Sequence, residues 1–397
     1  MDRKTLELTF ANIIIIFDIL FLLLVLDIVG VNQNYNVVGI NGILSFLINL
    51  YLFFIYRREI NIKPKHLLIF FIPFLLFFNY AFSIIVLNND PGPIIQSMLL
   101  SAWKIMPSFF YGLFLISVNF SDKFLNSLKL SGNILTIITF IAYISDPQNF
   151  DYFGVLAGNS GAHLIIGYSL AFFIFINLSL NNSWFIKSLL FIIQVMMLFS
   201  TGAKGAILSA ILIILYSIAK NFKKFIVITL ILSLLITLFK EYILNLLVYF
   251  KYQSGVFWLQ RILKFVNPDG SINFHEGSSD RDSIYNDSWA SFEESPLWGM
   301  GSSYLGDQYA HNIFLELLSE NGLIFTAIFL SILVILLMKN LTFNNKINYI
   351  IVGLALITFL YLMFSSSYRH STYFWFLIPL LFHNSTKQIK NEKQDEN

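Results

Sequence analysis

Long apolar runs are the feature that most constrains this chain, because each of them must be buried or surrounded by lipid. A helix that crosses the hydrocarbon core of a bilayer needs about 20 mostly apolar residues. Several runs reach this length, among them 11–30 and 312–338. Charged residues make up only 12% of the chain, whereas soluble domains usually carry about 25%. The sequence therefore predicts an all-α polytopic membrane protein.

About twelve transmembrane helices are expected, with one large extracytoplasmic loop between the ninth and the tenth. The apolar runs predict spans at 11–30, 37–56, 67–87, 94–118, 130–145, 162–180, 184–200, 205–219, 224–239, 312–338, 347–364 and 371–384. The chain then divides into 1–239 with spans one to nine, the loop 240–311, 312–384 with spans ten to twelve, and a polar cytoplasmic tail at 385–397. Within the loop, 241–266 is predicted to form an amphipathic interfacial helix, and a short helix is expected around 281–294.

The distribution of Lys and Arg orients these spans. Cytoplasmic connections of membrane proteins carry an excess of both residues. Alternate connections here hold most of the cations, and the short connections on the opposite side carry only Lys204 and Arg369. Both termini are therefore expected in the cytoplasm, and the loop 240–311 is expected outside. The chain has no cysteine, which excludes disulfides, thiolate metal sites and a cysteine nucleophile.

Arg281 is the first residue in the loop that could carry chemistry. It is the only Lys or Arg between Asn267 and His311, and acidic residues surround it. A guanidinium is permanently charged and binds phosphate with two parallel hydrogen bonds. The sequence leaves open a simpler role as a solvated salt-bridge partner in an acidic loop.

His311 is the second candidate, at the start of the tenth span. Histidine titrates near neutral pH and suits a general base. Asn312, Glu316 and Glu320 follow at four-residue spacing, which places them on one side of a helix. This pattern predicts a polar stripe from the outer surface into the bilayer. The alternative for His311 is an interfacial residue that caps the helix start.

Two lysines occupy unusual positions. Lys204 lies in an outer turn, 200–205, against the charge rule, and could be either a cation at a cavity mouth or a snorkelling side chain. Lys104 lies about ten residues into the fourth span, where a lysine costs roughly 3 kcal/mol. We expect it to face a wet interior or to pair with an acid such as Asp18 or Asp27. His163, Arg369 and His370 also fall near the outer surface, and each alone is a weak candidate.

Three segments resemble the O-antigen ligase and O-antigen polymerase superfamily of bacterial polysaccharide assembly. The strongest runs from Arg281 through Tyr285 to Pro-Leu-Trp-Gly-Met-Gly at 296–301, then to His311-Asn312 and Glu-Asn-Gly at 320–322. The second is Thr-Gly-Ala-Lys-Gly-Ala at 201–206, where the family has Ser-Arg in place of Ala203-Lys204. The third, at 158–163, is a looser match to an Asn-rich start of a span.

This resemblance implies an inverting, metal-independent glycosyltransferase of the bacterial inner membrane that uses polyprenyl-diphosphate-linked sugars on the outer face. It implies His311 as the base and Arg281 and Lys204 as the cations that bind the diphosphate, and Lys104, from its position in the fourth span, is a third candidate for this binding. The supporting residues are Asn312, Glu316, Glu320 and Tyr285. No nucleotide cofactor, metal or nucleic acid is expected, and the partners are the lipid-linked glycans, membrane lipid and a chain-length regulator.

Several alternatives remain open from the sequence. A polymerase is preferred to a ligase because the outer loop is modest and the chain offers few cations for a heavily phosphorylated lipid A core. A flippase or transporter predicts ionisable residues near the midplane and related halves, but the candidates cluster at one surface and no repeat is visible. A metal-dependent glycosyltransferase would use the carboxylates of Asp280, Asp282 and Asp287.

Overall fold

A computed structural model gives the fold. It describes residues 2–17, 37–62, 68–85, 91–118, 121–145, 162–181, 183–219, 238–253, 263, 266–269, 271, 281–301, 310–341, 346–369 and 371–382. Helices dominate these residues, and no β-strand occurs among them. The predicted all-helical class is therefore confirmed for the described part of the chain.

The described residues form thirteen α-helices. They are α1 (Arg3–Ala11), α2 (Val37–Ile55), α3 (Phe71–Ile85), α4 (Pro91–Val118), α5 (Ser121–Ser145), α6 (Ala162–Leu180), α7 (Trp184–Ser200), α8 (Lys204–Ala219), α9 (Lys240–Tyr252), α10 (Arg281–Glu294), α11 (Ile313–Asn340), α12 (Lys346–Phe364) and α13 (Thr372–Leu381). A π-helical turn, Asn12–Ile16, follows α1, and a 3-10 turn, Leu68–Phe70, precedes α3.

Three helices in the described part of the chain are each long and apolar enough to cross a membrane. They are Asp122–Ser145, Ile313–Asn340 and Lys346–Phe364. Shorter apolar helices coincide with predicted spans at α2, α3, α4, α6, α7, α8 and α13. The predicted spans 11–30 and 224–239 lie mostly outside the described residues, as does the tail 385–397. The count of twelve spans and the place of the large loop therefore stay predictions.

α5 is longer than the apolar run that predicted it. The sequence suggests a span at 130–145, with Lys123 and Lys129 in a connection, but the helix already begins at Ser121. Its polar first turns are helical because they have partners inside the protein. The amide of Asn12 donates to Ser127 Oγ at 2.9 Å and to Ser131 Oγ at 3.3 Å. Hydropathy alone could not find these turns.

The segment 240–311 contains the short helix that the sequence predicts. α10 spans Arg281–Glu294, the predicted bounds of 281–294. α9 covers Lys240–Tyr252, the first half of the predicted interfacial helix, and most of 253–266 lies outside the described residues.

The chain divides into two compact units. The first contains 1–20, 34–131 and 283–397, and the second contains 21–33 and 132–282. In the first unit, α13 packs closely on α4. A side chain at Gly112 would collide with the carbonyl of Phe376 and touch Pro379, and the rings of Tyr111 and Phe376 stack at 5.8 Å. The missing side chain therefore lets two helix backbones approach, as in many membrane helix pairs.

In the second unit, α6 packs against both α7 and α8. Gly167 of α6 faces the methyl groups of Ala203 and Ala206, and an added Cβ would meet them at 2.8 and 2.9 Å. A buried amide in this unit is paired, since Gln194 Nε2 donates to Thr136 Oγ1 at 2.9 Å. This pairing is what an apolar surrounding requires of buried amides.

α11, in the first unit, is broken at Gly322. The backbone there has φ +68° and ψ −178°, a region that is essentially restricted to glycine. The sequence suggests one continuous span at 312–338, and the structure instead divides α11 into a short first arm, 313–321, and a long second arm, 323–340. The break frees two carbonyls before Gly322 and two amides after it.

The segment 296–301, which begins with a turn, pairs with these freed groups. Met300 N donates to Ser319 O at 2.8 Å, and Gly301 N donates to Glu320 O at 3.0 Å. On the other side of the break, Leu323 N donates to the carbonyl of residue 296 at 2.8 Å, and Ile324 N donates to that of residue 297 at 3.4 Å. The two family motifs at 296–301 and 320–322 are therefore one backbone structure.

The two arms of α11 bend towards each other. A straight helix would separate Phe314 from Leu330 by roughly 24 Å at 1.5 Å per residue. Both residues line a single cavity of about 310 Å³. The ring of Phe314 also packs edge-on against Phe359 of α12 at 5.8 Å. The first arm thus folds back beside the second instead of extending it.

Replacing Gly322 tests the break. Gly322→Ala should lower the apparent melting temperature in detergent by several degrees, because the backbone conformation costs about 1–3 kcal/mol for other residues and the new Cβ would collide with the carbonyl of Leu297. Gly132→Ala in α5 is the matched control. Its Cβ would meet only the side chain of Ile176, at 3.4 Å, so it should be neutral or stabilising. Equal melting of both variants would contradict the assigned role of Gly322.

Candidate functional site

Two buried carboxylates on the first arm of α11 share one arginine. Glu316 and Glu320 lie one helical turn apart and face Arg369, which comes from the connection between α12 and α13. Arg369 Nη2 lies 3.0 Å from Glu320 Oε1, and Arg369 Nε lies 3.5 Å from Glu316 Oε1. The side chains of Glu316, Arg369 and Glu320 are only 2%, 4% and 8% exposed. We call these three residues the acid–arginine cluster.

Hydroxyl groups complete the acid–arginine cluster. Ser367 Oγ donates to Glu316 Oε1, and Tyr368 Oη donates to Glu320 Oε2 at 3.0 Å. Burial, with the negative charges of Glu320 and Glu316, raises the pKa of Tyr368 well above its ordinary value. Tyr368 therefore stays a hydrogen-bond donor at neutral pH. Trp375 Nε1 donates to the carbonyl of Tyr368 at 2.8 Å and so anchors this connection to α13.

The charges of the acid–arginine cluster do not balance if both carboxylates are ionised. One guanidinium then faces two negative groups. Among the described residues, Glu316 Oε2 is buried without a hydrogen-bond partner. Taking ions out of water is costly, so the cluster is a poor source of net stability. What it does provide is geometry, because it fixes two turns of the first arm against one loop.

His311 has a backbone conformation that few residues adopt. Its φ is +50°, and it is the only non-glycine residue with positive φ in the described part of the chain. A non-glycine residue held in this region costs about 1–3 kcal/mol, and such residues cluster at active sites. Its side chain is half-buried. The conformation favours a functional role over the simple capping role.

Asn312 is the residue that caps α11. Its Oδ1 accepts hydrogen bonds from Phe314 N at 3.0 Å and Leu315 N at 3.3 Å. Asn312 thus satisfies two of the free amides at the helix start. The predicted polar stripe is therefore partly wrong: Glu316 and Glu320 share a face as expected, but Asn312 turns back to the first turn of the helix.

The other predicted site residues lie on three different helices. Arg281 is the first residue of α10, half-buried, and Tyr285 lies one turn later and is also half-buried. Lys204 is the first residue of α8, half-buried, directly after a turn in which Gly202 has φ +63°. Lys104 lies in α4, but its side chain is outside the described part of the structure. Its suggested partners, Asp18 and Asp27, are outside it too.

Arg369 is the residue that sequence reasoning undervalued. Two signals pointed to it. It is a cation in a connection that the charge distribution predicts to lie outside, against the charge rule, as Lys204 is. In addition, Glu316 and Glu320 at helical spacing in an apolar segment require a positive partner.

The metal alternative concerns the carboxylates of Asp280, Asp282 and Asp287. The described residues contain no group of three side chains suited to a metal ion, and Asp280 lies outside them.

The comparison with known families agrees with these motifs. Residues 189–330 match the family described as O-antigen ligase. The matched range contains the Lys204 turn and the whole segment from Arg281 to Gly322, so the predicted resemblance to the O-antigen ligase and polymerase superfamily is confirmed. No curated protein matches the chain.

The family match defines a class of function. It indicates an O-antigen ligase or polymerase type of activity, and so a membrane glycosyltransferase-like enzyme. The same match implies lipid-linked glycan substrates and, with the apolar helices, a protein of the bacterial inner membrane.

Removing the shared cation tests the acid–arginine cluster. Arg369→Gln should destabilise the protein by about 3–5 kcal/mol, since it leaves two carboxylates buried without a positive partner. Adding Glu320→Gln to this variant should restore part of the loss. Apparent melting temperatures in detergent measure both effects.

Arg3→Gln is the matched control for this experiment. Arg3 pairs with Glu7 at 2.8 Å, but its side chain is 75% exposed, and exposed pairs contribute little. If Arg369→Gln melted like Arg3→Gln, the assigned role of Arg369 would be wrong.

Proposed function

We propose that this protein polymerises polyprenyl-diphosphate-linked oligosaccharide repeat units into O-antigen or capsular polysaccharide on the outer face of the cytoplasmic membrane. The family match over 189–330 carries this proposal. Within that range, the segment 296–301 makes four backbone hydrogen bonds to residues 319–324, on both sides of the break in the 320–322 motif. These hydrogen bonds support a single functional unit around the first arm of α11.

The reaction joins an acceptor sugar hydroxyl to the anomeric carbon of the donor. As the hydroxyl oxygen attacks, His311 accepts its proton. The bond between the anomeric carbon and the diphosphate oxygen breaks, and the polyprenyl diphosphate leaves with the bonding electrons. In-line attack inverts the anomeric configuration, and the step as proposed uses no metal. The unusual backbone conformation of His311 supports its role as the base.

Cations would stabilise the leaving diphosphate. Arg281, Lys204 and Lys104 are assigned to this task, because fixed positive charge counters the negative charge that develops as the bond breaks. Arg281 can bind two phosphate oxygens at once. Lys204, in place of the family arginine, offers a point charge without the planar fork. Tyr285, one turn after Arg281, supports its position.

The acid–arginine cluster would act indirectly in this reaction. Arg369, Glu316 and Glu320 hold the first arm of α11, and this arm carries His311 and Asn312 at its start. A base that is misplaced by about 1 Å can cost a hundredfold in rate. The cluster therefore positions the base without touching the substrate.

A ligase is the second candidate, because the matched family is described as O-antigen ligase. The polymerase is preferred because the outer segment is modest and carries few cations for a phosphorylated lipid A core. A flippase or transporter, the alternative from another class, has no comparable family support. In this proposal both termini are cytoplasmic, and a chain-length regulator is a partner.

A deletion strain separates the two enzymes. Without a polymerase, the lipopolysaccharide ladder should collapse to the core bearing a single repeat unit, and a plasmid copy should restore the long chains. Polymer that accumulates on the lipid carrier would instead identify a ligase. A ladder that stays unchanged would overturn both assignments.

Point variants test the proposed chemistry. His311→Ala and Arg281→Ala should each abolish long-chain polysaccharide while the protein still reaches the membrane, because one loses the base and the other the anion-binding cation. His311→Gly should be as inactive but at least as stable as the native protein, since glycine adopts positive φ freely. Ladders on gels and melting temperatures measure these outcomes. Arg3→Ala is the control for loss of a cation. Normal ladders in either histidine variant would refute the assignment of His311 as the base.

A further inference from the structure

An apolar cavity of about 310 Å³ lies between α11, α12 and α13 in the first unit. Its lining begins at Ile313 and Phe314, directly after His311 and Asn312. Among the lining residues, Thr358 provides the only polar side chain. The lining of the cavity therefore starts two residues after the proposed base in the chain and is otherwise apolar.

The cavity has a buried floor and an exposed rim. Ile378 and Leu362 on the floor are at most 1% exposed. On the rim, Phe359 and Val334 are 41% and 56% exposed. Because α11 and α12 are membrane-spanning candidates, an exposed apolar rim on them faces lipid. A hydrocarbon chain could thus pass sideways from the bilayer into the cavity.

The size and lining of the cavity restrict its occupant. Water would need polar partners that this lining does not supply. A single hydrocarbon chain fits both the volume and the chemistry.

We propose that the cavity binds the part of the donor's polyprenyl chain next to the diphosphate. The proposal rests on the proposed function, which supplies a lipid-linked donor. The position of the cavity favours this chain over a phospholipid tail, because a chain seated against Phe314 holds its head group at the His311 end of the first arm. The fold of α11 at Gly322 thereby serves substrate binding as well as placement of the base.

Filling the cavity tests the proposal. Ala355→Phe and Thr358→Phe add bulk to the lining, whereas Ala327→Phe adds it at an exposed position on α11 outside the lining. Each protein is assayed with two donors that carry the same oligosaccharide diphosphate, one on a long polyprenyl chain and one on a single isoprene unit. The measured quantity is the ratio of kcat/KM for the long donor to that for the short donor.

The native protein and Ala327→Phe should both prefer the long donor. In Ala355→Phe and Thr358→Phe the ratio should fall by roughly tenfold or more, the change that loss of about two buried methylene groups produces. An unchanged ratio in the filled variants would overturn the cavity proposal. If the native protein used neither donor, the proposed function would fail instead.

A binding experiment covers the case in which the filled variants do not fold. A photoreactive polyprenyl phosphate should crosslink the native protein at the lining of the cavity, within 313–314, 330–337, 355–362 or 374–381. Unlabelled polyprenyl phosphate should compete, and excess phospholipid should not. Competition by phospholipid would identify an ordinary lipid site and overturn the proposal, as would crosslinks confined to other helices.

Discussion

Backbone groups at the break in α11 must find partners inside the protein, and the rest of the site depends on this requirement. An unpaired amide or carbonyl in an apolar environment costs several kcal/mol. Gly322 frees two carbonyls and two amides, and the segment 296–301 pairs with all four. The break is therefore possible only where this segment lies beside it. The glycines at 299 and 322 have a common physical reason, since a side chain at Gly299 would collide with the carbonyl of Glu320 and one at Gly322 with the carbonyl of Leu297.

The first arm of α11 is held at three places by three different interactions. Asn312 caps its beginning, Arg369 binds two acids along its middle, and the segment 296–301 fixes its end. None of these interactions alone would position nine residues against an apolar bundle. Together they explain how His311, at the start of this arm, can be kept in a backbone conformation that costs free energy.

Sequence reasoning was most successful where the information is local. Apolar length gave the bounds of α6 and α7 as the structure has them, and the polar short helix α10 was found from its composition. The polar turns of α5 were missed because their partner, Asn12, is far away in the chain. The break at Gly322 was missed for the same reason, since a glycine within an apolar run shows its role only when the pairing segment is known.

The site residues also divide into those that the local sequence reveals and those that depend on a partner far away in the chain. His311, Glu316 and Glu320 could be named from residue type and spacing, but the cation that pairs with the two acids, Arg369, comes from the connection that follows the next helix. Whether a buried acid is a catalyst or a structural anchor depends on such distant partners. The role of Asn312 as a cap, by contrast, concerns only its next three residues, and a helix-start reading of the sequence could have found it.

The paired segment 296–301 also limits how the length of this protein can change. Its hydrogen bonds to the two sides of Gly322 have a fixed register, so inserting or deleting one residue between residues 297 and 300 would shift one pair of bonds relative to the other. A residue added before Ser295 or within 302–309 would leave that register intact. Engineered tags, labels and loop grafts therefore belong outside 296–301, even though this stretch is irregular and several of its side chains are exposed.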